Sequence, residues 1–259
     1  MILLPQRLEI GAIPDFPWVS PGQSLARLIL EGCLKANMPL ENGDVLVISQ
    51  KVVSKAEGRY RNLNDVTVSA EARAVAEKTG KDPRLVALIL EEASEIIAAA
   101  PDVLITRHRS GHIMANAGID RSNIEGNEDT VLLLPEDADA SAADLRATLE
   151  AETNTSLGII IADSHGRPWR LGTTGVAIGV SGISALWDKR GDTDAFGRPL
   201  KVTQLALADM LASAACLVSG EGGEGRPVIL IRGLRADASP QTSKNLLRPA
   251  EQDLFRSPP

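Results

Sequence analysis

The chain has 259 residues, enough to bury a sizeable core and to hold one large domain or more than one small one. Aromatics are scarce (Trp 3, Tyr 1, Phe 3), so Ala, Val, Leu and Ile must build the interior. A formal net charge of -7 argues against a broadly basic, nucleic-acid-binding surface, while leaving room for a local basic site. No apolar run is long enough to cross a bilayer. Cys33 and Cys216 sit in helix-like apolar patterns, without CxxC or Cys/His spacing, and read as buried free thiols of a reducing compartment. Residues 1–5 lack the basic stretch of a signal peptide. Together these features predict a cytoplasmic protein with neither membrane nor nucleic acid as partner.

Residues 7–10 predict a first strand, and Pro14, Pro17 and Pro21 forbid helix in the loop behind it. Leu25, Leu28, Ile29 and Cys33 then recur at helical spacing after Ser24, an N-cap. The turn Asn42-Gly43-Asp44 precedes a strand over 45–48. Residues 49–58 leave that strand with Lys51 and Lys55 beside Ser49 and Ser54. Ammonium and hydroxyl groups can gather a polyphosphate, but spacing alone favours a solvated basic stretch. A short Ala-rich helix follows over 69–78. Asp82 caps the next helix, with Pro83 at its first position. Val86, Ile89, Leu90, Ala93 and Ile97 form its apolar face, Glu91, Glu92 and Glu95 a solvated face, and Pro101 its end.

Strands over 103–107 and 113–115 flank a hairpin turn. Gly111 in that turn argues against the helix on which His108 and His112 could share a metal. Residues 116–123 crowd Asn, Gly, Asp and Ser, which are turn-formers first. After a strand over 131–134, Ser141 and Asp144 make a weak capping box for a helix striped by Ala142, Leu145 and Leu149. Ile159, Ile160, Ile161 and Ala162 read as a buried strand, with Asp163 just past its end, where a rigid sheet presents chemistry. Asp163 is a metal ligand, a catalytic base or a partner for Arg167 or Arg170. On the functional reading Asp120, behind its own strand, converges with it on one divalent cation. Hard cations take oxygen ligands, and Mg²⁺ commonly sits between one or two carboxylates and substrate phosphates. A glycine-rich strand over 172–182, a polar loop over 187–199 and a helix capped by Thr203 and ending near 217 come next. The loop 219–227 can present N–H groups to an anion. It runs helix, loop, strand, however, the reverse of a phosphate loop or dinucleotide fingerprint, so composition favours a flexible surface loop. A strand over 228–231 and a polar tail anchored by Leu246, Leu247, Leu254 and Phe255 complete the chain. Interleaved strands and helices predict a mixed α/β, or α+β, fold with no clean domain cut, the 259 residues forming one unit.

Three segments carry a resemblance: Val47-Ile48-Ser49-Gln50-Lys51-Val52-Val53-Ser54-Lys55-Ala56-Glu57-Gly58, Asn116-Ala117-Gly118-Ile119-Asp120-Arg121-Ser122-Asn123, and Asp163-Ser164-His165-Gly166-Arg167-Pro168-Trp169-Arg170. With Phe196-Gly197-Arg198-Pro199-Leu200 and Ala208-Asp209 they make the chain similar to the coenzyme F420-0:L-glutamate ligase (F420 γ-glutamyl ligase) family, from about residue 8 to residue 255. The resemblance implies a two-domain α+β fold of interwoven subdomains in an intertwined homodimer. It implies that GTP phosphorylates the terminal carboxylate of F420-0 and that L-glutamate attacks the acyl phosphate, adding one or more γ-linked glutamates. It implies Mg²⁺ or Mn²⁺ at two sites, with K⁺ stimulating some members. Carried over, Asp120 and Asp163 are ligands of one metal. Ser164 and Glu221, where members often have Thr and Gln, stand near the second. Ile13, Pro14, Asp15, Phe16, Gln50, Lys55, Asn123 and the loop Ser219, Gly220, Glu221, Gly222, Gly223, Glu224, Gly225 and Arg226 contact the nucleotide. Asp163, Asp120, Lys55 and Arg167 are the catalytic candidates. His165 stands where the family usually has an aromatic or apolar residue. A paralogous ligase acting on another carboxylate and a non-catalytic nucleotide-binding protein are the alternatives.

Overall fold

The structure, a computed structural model, describes residues 7–234 and 239–253. Residues 1–5 and the anchors Leu254 and Phe255 lie outside the described residues. In chain order the first elements are β1 (Glu9–Ala12), α1 (Leu25–Lys35), β2 (Val45–Ser49), α2 (Gln50–Ala56), β3 (Tyr60–Asn62), α3 (Ala70–Thr79), α4 (Pro83–Glu92), β4 (Ala93–Ala100) and β5 (Val103–His108). Then follow β6 (Ile113–Ala115), β7 (Thr130–Leu132), α5 (Ala138–Thr153), β8 (Gly158–Arg167), β9 (Arg170–Ser181), β10 (Trp187–Asp188), β11 (Gln204–Leu205), α6 (Leu207–Ser219) and β12 (Val228–Arg232).

The three β-branched runs become the centre of a five-stranded sheet, ordered β1-β12-β2-β8-β9. β2 and β8 run parallel, and the other neighbours are antiparallel. These runs lack polar alternation because both faces are covered. Leu46, Ile48, Ile159, Ile161, Val228 and Leu230 face α1 and α5. Val45, Val47, Ile160, Ile229 and Ile231 face α6. A third cluster around Leu88, Ile89, Leu104 and Val131 is built between residues 63 and 133 from α3, α4, β5 and β7. The fold is mixed α+β, as expected.

Helix α6 rests on β9 because β9 offers a glycine beneath it. A Cβ on Gly175 would stand 2.3 Å from the Ala212 carbonyl oxygen. Glycine permits this backbone approach. Gly175→Ala is expected to cost about 1–3 kcal/mol through overpacking. The readout is the urea midpoint, and an unchanged midpoint would mean that α6 can retreat without loss.

Several local expectations hold. Ser24 and Asp82 each cap their helix by accepting a backbone N–H, and Ser69, which the sequence marks only as the start of a helix, does the same for α3. Others are corrected. The first strand lies at Glu9–Ala12, shifted along from 7–10. The helix after Asp82 stops at Glu92 instead of running to Pro101, and Ala93–Ala100 pairs antiparallel with β5. The helical spacing through Ala93 and Ile97 is thus overridden by cross-strand pairing. Helix α5 is capped by Asp137, not Ser141, whose hydroxyl donates to Glu57. Thr203 caps no helix. Gln204–Leu205 pairs with Trp187–Asp188 instead, and α6 starts at Leu207 without a side-chain cap.

His108 and His112 do flank the predicted hairpin turn, but both are buried. Ser110 Oγ bridges them, 2.8 Å from His108 Nδ1 and 2.9 Å from His112 Nδ1. Burial, reinforced by the neighbouring His165 and His108, pushes the His112 imidazole down to about 4. Its folded pKa is therefore below the ordinary value, so its stabilising contribution is full above about pH 6.5 and is lost as pH falls toward 4. Wild type should lose ~2–3 kcal/mol more than His112→Asn between about pH 7 and 4.5, read from urea midpoints. Equal losses in the two proteins would place the acid sensitivity elsewhere.

Candidate active site

Parallel β2 and β8 end on the same edge of the sheet, the edge at which open α/β sheets collect ligands. β12 runs the other way, so its start meets the end of β2. Val228 pairs with Ile48, and the Ser49 N–H donates to the Pro227 carbonyl at 2.8 Å. This brings the glycine-rich loop leaving α6 to that edge. β8 pairs with β2 only as far as Ala162, yet with β9 as far as Arg167. Asp163 therefore lies inside β8, not past its end. It has sheet support on one side, and it lines a cavity of about 400 Å³ beside the loop. That size suits a small ligand.

The two carboxylates converge on this cavity. Asp120 lines it from the loop behind β6, where its N–H and C=O both pair with Leu132. Asp120 Oδ2 lies 2.9 Å from Lys51 Nζ. Its Oδ1 accepts the Ser122 N–H at 2.7 Å and the Ser122 hydroxyl at 2.8 Å. Burial pushes the Asp120 carboxyl up, but Lys51 and the Ser122 donors outweigh it and hold the carboxyl below its usual range. Asp163 has a different partner. Its Oδ2 lies 3.1 Å from His165 Nε2, while Arg167 and Arg170 stand exposed on the β8–β9 hairpin. The proposed arginine pairing is not what the structure shows.

The stretch after β2 is not a solvated basic segment. It folds as α2, and Lys55 is 4% exposed. Lys55 Nζ donates to the Asn123 carbonyl at 2.7 Å and stands 4.9 Å from the Trp18 ring centroid. Burial, with Lys51 nearby, lowers its pKa against the opposing pull of Glu125 and Asp120. The glycine-rich loop is also tied down. Asn123 Nδ2 donates to the Gly222 carbonyl at 3.1 Å, and Ser164 Oγ donates to Glu221 Oε2 at 2.5 Å. Cys216 lines the same wall, and burial together with Glu221 raises its thiol to about 11. It stays protonated near neutral pH and offers no nucleophile.

Of the residues singled out from sequence, the cavity brings together Phe16, Ser49, Lys51, Lys55, Asp120, Asn123, Asp163, Ser164 and the loop 219–226 except Glu224. Glu224 turns back onto its own loop, accepting the Gly222 N–H at 2.8 Å. Ile13 is in the core, and its N–H donates to the Val228 carbonyl at 3.0 Å. Pro14 and Asp15 are exposed and off the cavity wall. Gln50 is buried and accepts from the Ser54 hydroxyl at 3.0 Å. Arg167 stays on the hairpin. Sequence reasoning did not place Trp18, Ser122 or Cys216 on the wall. The proline-rich loop around Trp18 and the family segment holding Ser122 carried a signal, and Cys216 carried none.

The metal question turns on these donors. Asp120, Asp163, Ser164 and Glu221 all present oxygen to one cavity, the donor type that hard divalent cations take. Among the described residues no three His, Cys, Asp or Glu side chains stand together as a ready-made cage.

Comparison with known proteins shows the family. The sequence model of the family described as F420-0:Gamma-glutamyl ligase matches residues 15–233. The chain is 46% identical over 253 residues to the "Coenzyme F420:L-glutamate ligase" of Methanopyrus kandleri, covering 96% of this chain and 98% of that one. It is 44% identical over 254 residues to the protein of the same name from Methanothermobacter thermautotrophicus, covering 96% and 99%. A third, from Methanocaldococcus jannaschii, is 45% identical over 224 residues, covering 86% and 89%. With the family model matching residues 15–233 and these relatives covering most of its length, the chain belongs to the F420-0:gamma-glutamyl ligase family.

Proposed function

We propose that this protein joins L-glutamate to the terminal carboxylate of F420-0, and then to further γ-carboxylates, at the expense of GTP. The observation that carries the reading is the single cavity where Asp120, Asp163, Lys51, Lys55 and the glycine-rich loop meet. Activating a carboxylate needs a phosphoryl donor, and phosphoryl transfer is mostly positioning and charge neutralisation. The γ-phosphoryl group passes to the substrate carboxylate, giving an acyl phosphate and GDP. The glutamate amine then forms the C–N bond, and phosphate leaves. No protein nucleophile is required, which agrees with the protonated Cys216.

Asp120 and Asp163 would hold one Mg²⁺ or Mn²⁺, with Ser164 and Glu221 near a second. Bound there, divalent metal supplies Lewis-acid stabilisation of the transferring phosphoryl oxygens. Lys51 and Lys55 supply positive charge for phosphate, and the Gly-rich backbone offers N–H donors. K⁺ as a further activator, a cytoplasmic setting and a homodimeric assembly belong to the same reading.

The test is incubation with GTP, L-glutamate, Mn²⁺ and F420-0, followed by mass spectrometry. Products heavier by whole glutamyl units are expected. GTP turnover only with a different acid would move the activity to another carboxylate. Nucleotide binding without turnover in the presence of any acid would overturn the catalytic reading.

A further inference from the structure

One of the carboxylates in the cavity, Asp120, already has a cation. Lys51 Nζ lies 2.9 Å from Asp120 Oδ2 and donates to Ser122 Oγ at 2.8 Å. The two side chains are 26% and 23% exposed, so this is a partly desolvated pair rather than a surface one. The members differ in freedom. Asp120 is pinned through its own backbone to Leu132 and through Oδ1 to Ser122. Lys51 reaches it on a four-carbon stem from α2. The other cavity lysine is not available for the same role, since Lys55 is buried and tied to the Asn123 carbonyl. Among the described residues Asp163 pairs with His165 and with no lysine or arginine.

A divalent cation at Asp120 and the Lys51 ammonium compete for the same oxygen. Like charges held within a few ångströms on one carboxylate repel strongly where water is partly excluded. The ammonium must leave as the metal enters, and it then needs another anion. The phosphates of a nucleotide in this cavity provide it, since Lys51 lines the same wall.

We propose that Lys51 is an exchangeable counter-ion of Asp120: it occupies the carboxylate until a nucleoside triphosphate draws the ammonium away, so the divalent cation enters with the nucleotide rather than ahead of it. This rests on reading the cavity as a GTP–metal site. It makes Lys51 the residue that couples nucleotide binding to metal binding.

The test is calorimetric titration of Mn²⁺ into the full chain, with and without a non-hydrolysable GTP analogue. Wild type, Lys51→Met, Lys51→Gln and Asp120→Asn are compared. In wild type the analogue should tighten Mn²⁺ binding at least about 5-fold, the range of ordinary site-to-site coupling. Lys51→Met and Lys51→Gln should bind Mn²⁺ alone more tightly than wild type by a similar factor, and should lose most of the coupling. A lysine with a merely structural role would weaken Mn²⁺ binding or leave it alone when removed. Equal Mn²⁺ affinity in wild type and both Lys51 variants, with Asp120→Asn abolishing binding, overturns the exchange and leaves the metal reading standing. Unchanged Mn²⁺ and analogue binding in Asp120→Asn overturns the metal reading, and the exchange falls with it.

Discussion

Asp163→Asn is expected to reduce glutamate ligation by roughly 10³-fold or more, about 4 kcal/mol of transition-state stabilisation, while leaving the fold intact. The substitution keeps the size of the side chain, and the amide can still bond His165 Nε2, which lies 3.1 Å away. What it removes is a full negative charge from the wall that also carries Asp120. A metal shared between two carboxylates loses most of its electrostatic hold when one becomes neutral. The measurement is the rate of glutamyl addition at saturating GTP and Mn²⁺, with a thermal melt run in parallel. Activity within about tenfold of wild type would mean that Asp163 is not a ligand. Lost activity together with a collapsed melting temperature would make its role structural.

Glu92→Ala is expected to be the most damaging single change to stability away from the cavity, costing about 3–5 kcal/mol. Glu92 ends α4 with its side chain 8% exposed. Its Oε2 lies 3.0 Å from Arg109 Nη2 and 3.3 Å from Arg59 Nη2, with His108 Nε2 at 3.6 Å. Burial alone would push its carboxyl up. The surrounding His108, Arg109 and Arg59 outweigh that and hold it below the usual range. Truncation leaves two guanidinium groups facing each other without their anion. The melting temperature should fall by roughly 10 °C. Glu92→Gln, which keeps shape and hydrogen bonding but not charge, should fall less. A drop of under about 2 °C for Glu92→Ala would show that water replaces the carboxylate without penalty.

Glu92 also shows where reading along the chain fails. Its spacing with Glu91 and Glu95 looks like the wet face of a long helix. Glu91 and Glu95 do meet arginines near the surface. Glu92 is instead the anion of a buried network, because the helix stops there and the chain turns into β4. Nothing local distinguishes the three acids. Partners at Arg59 and Arg109 do, and they arrive from separate parts of the chain. Lys55 is a parallel case: a basic residue with the look of a solvated face, buried because Asn123 and Trp18 close over it.

The central strands and the principal caps were determined by sequence alone. Long β-branched runs at 45–48, 159–161 and 228–231 can satisfy their apolar side chains only when covered on both faces. Ser24 and Asp82 can bond the first free N–H groups of a helix without help from elsewhere. The family motifs were legible for the same reason, since each is a local string. Only the tertiary structure decided that Asp120 and Asp163 share a cavity, that Lys51 occupies Asp120, and that Arg167 stays outside. Those relations join residues far apart in the chain. They are set by which strand pairs with which and by where β8 outruns β2, and spacing along a sequence carries no record of such distances.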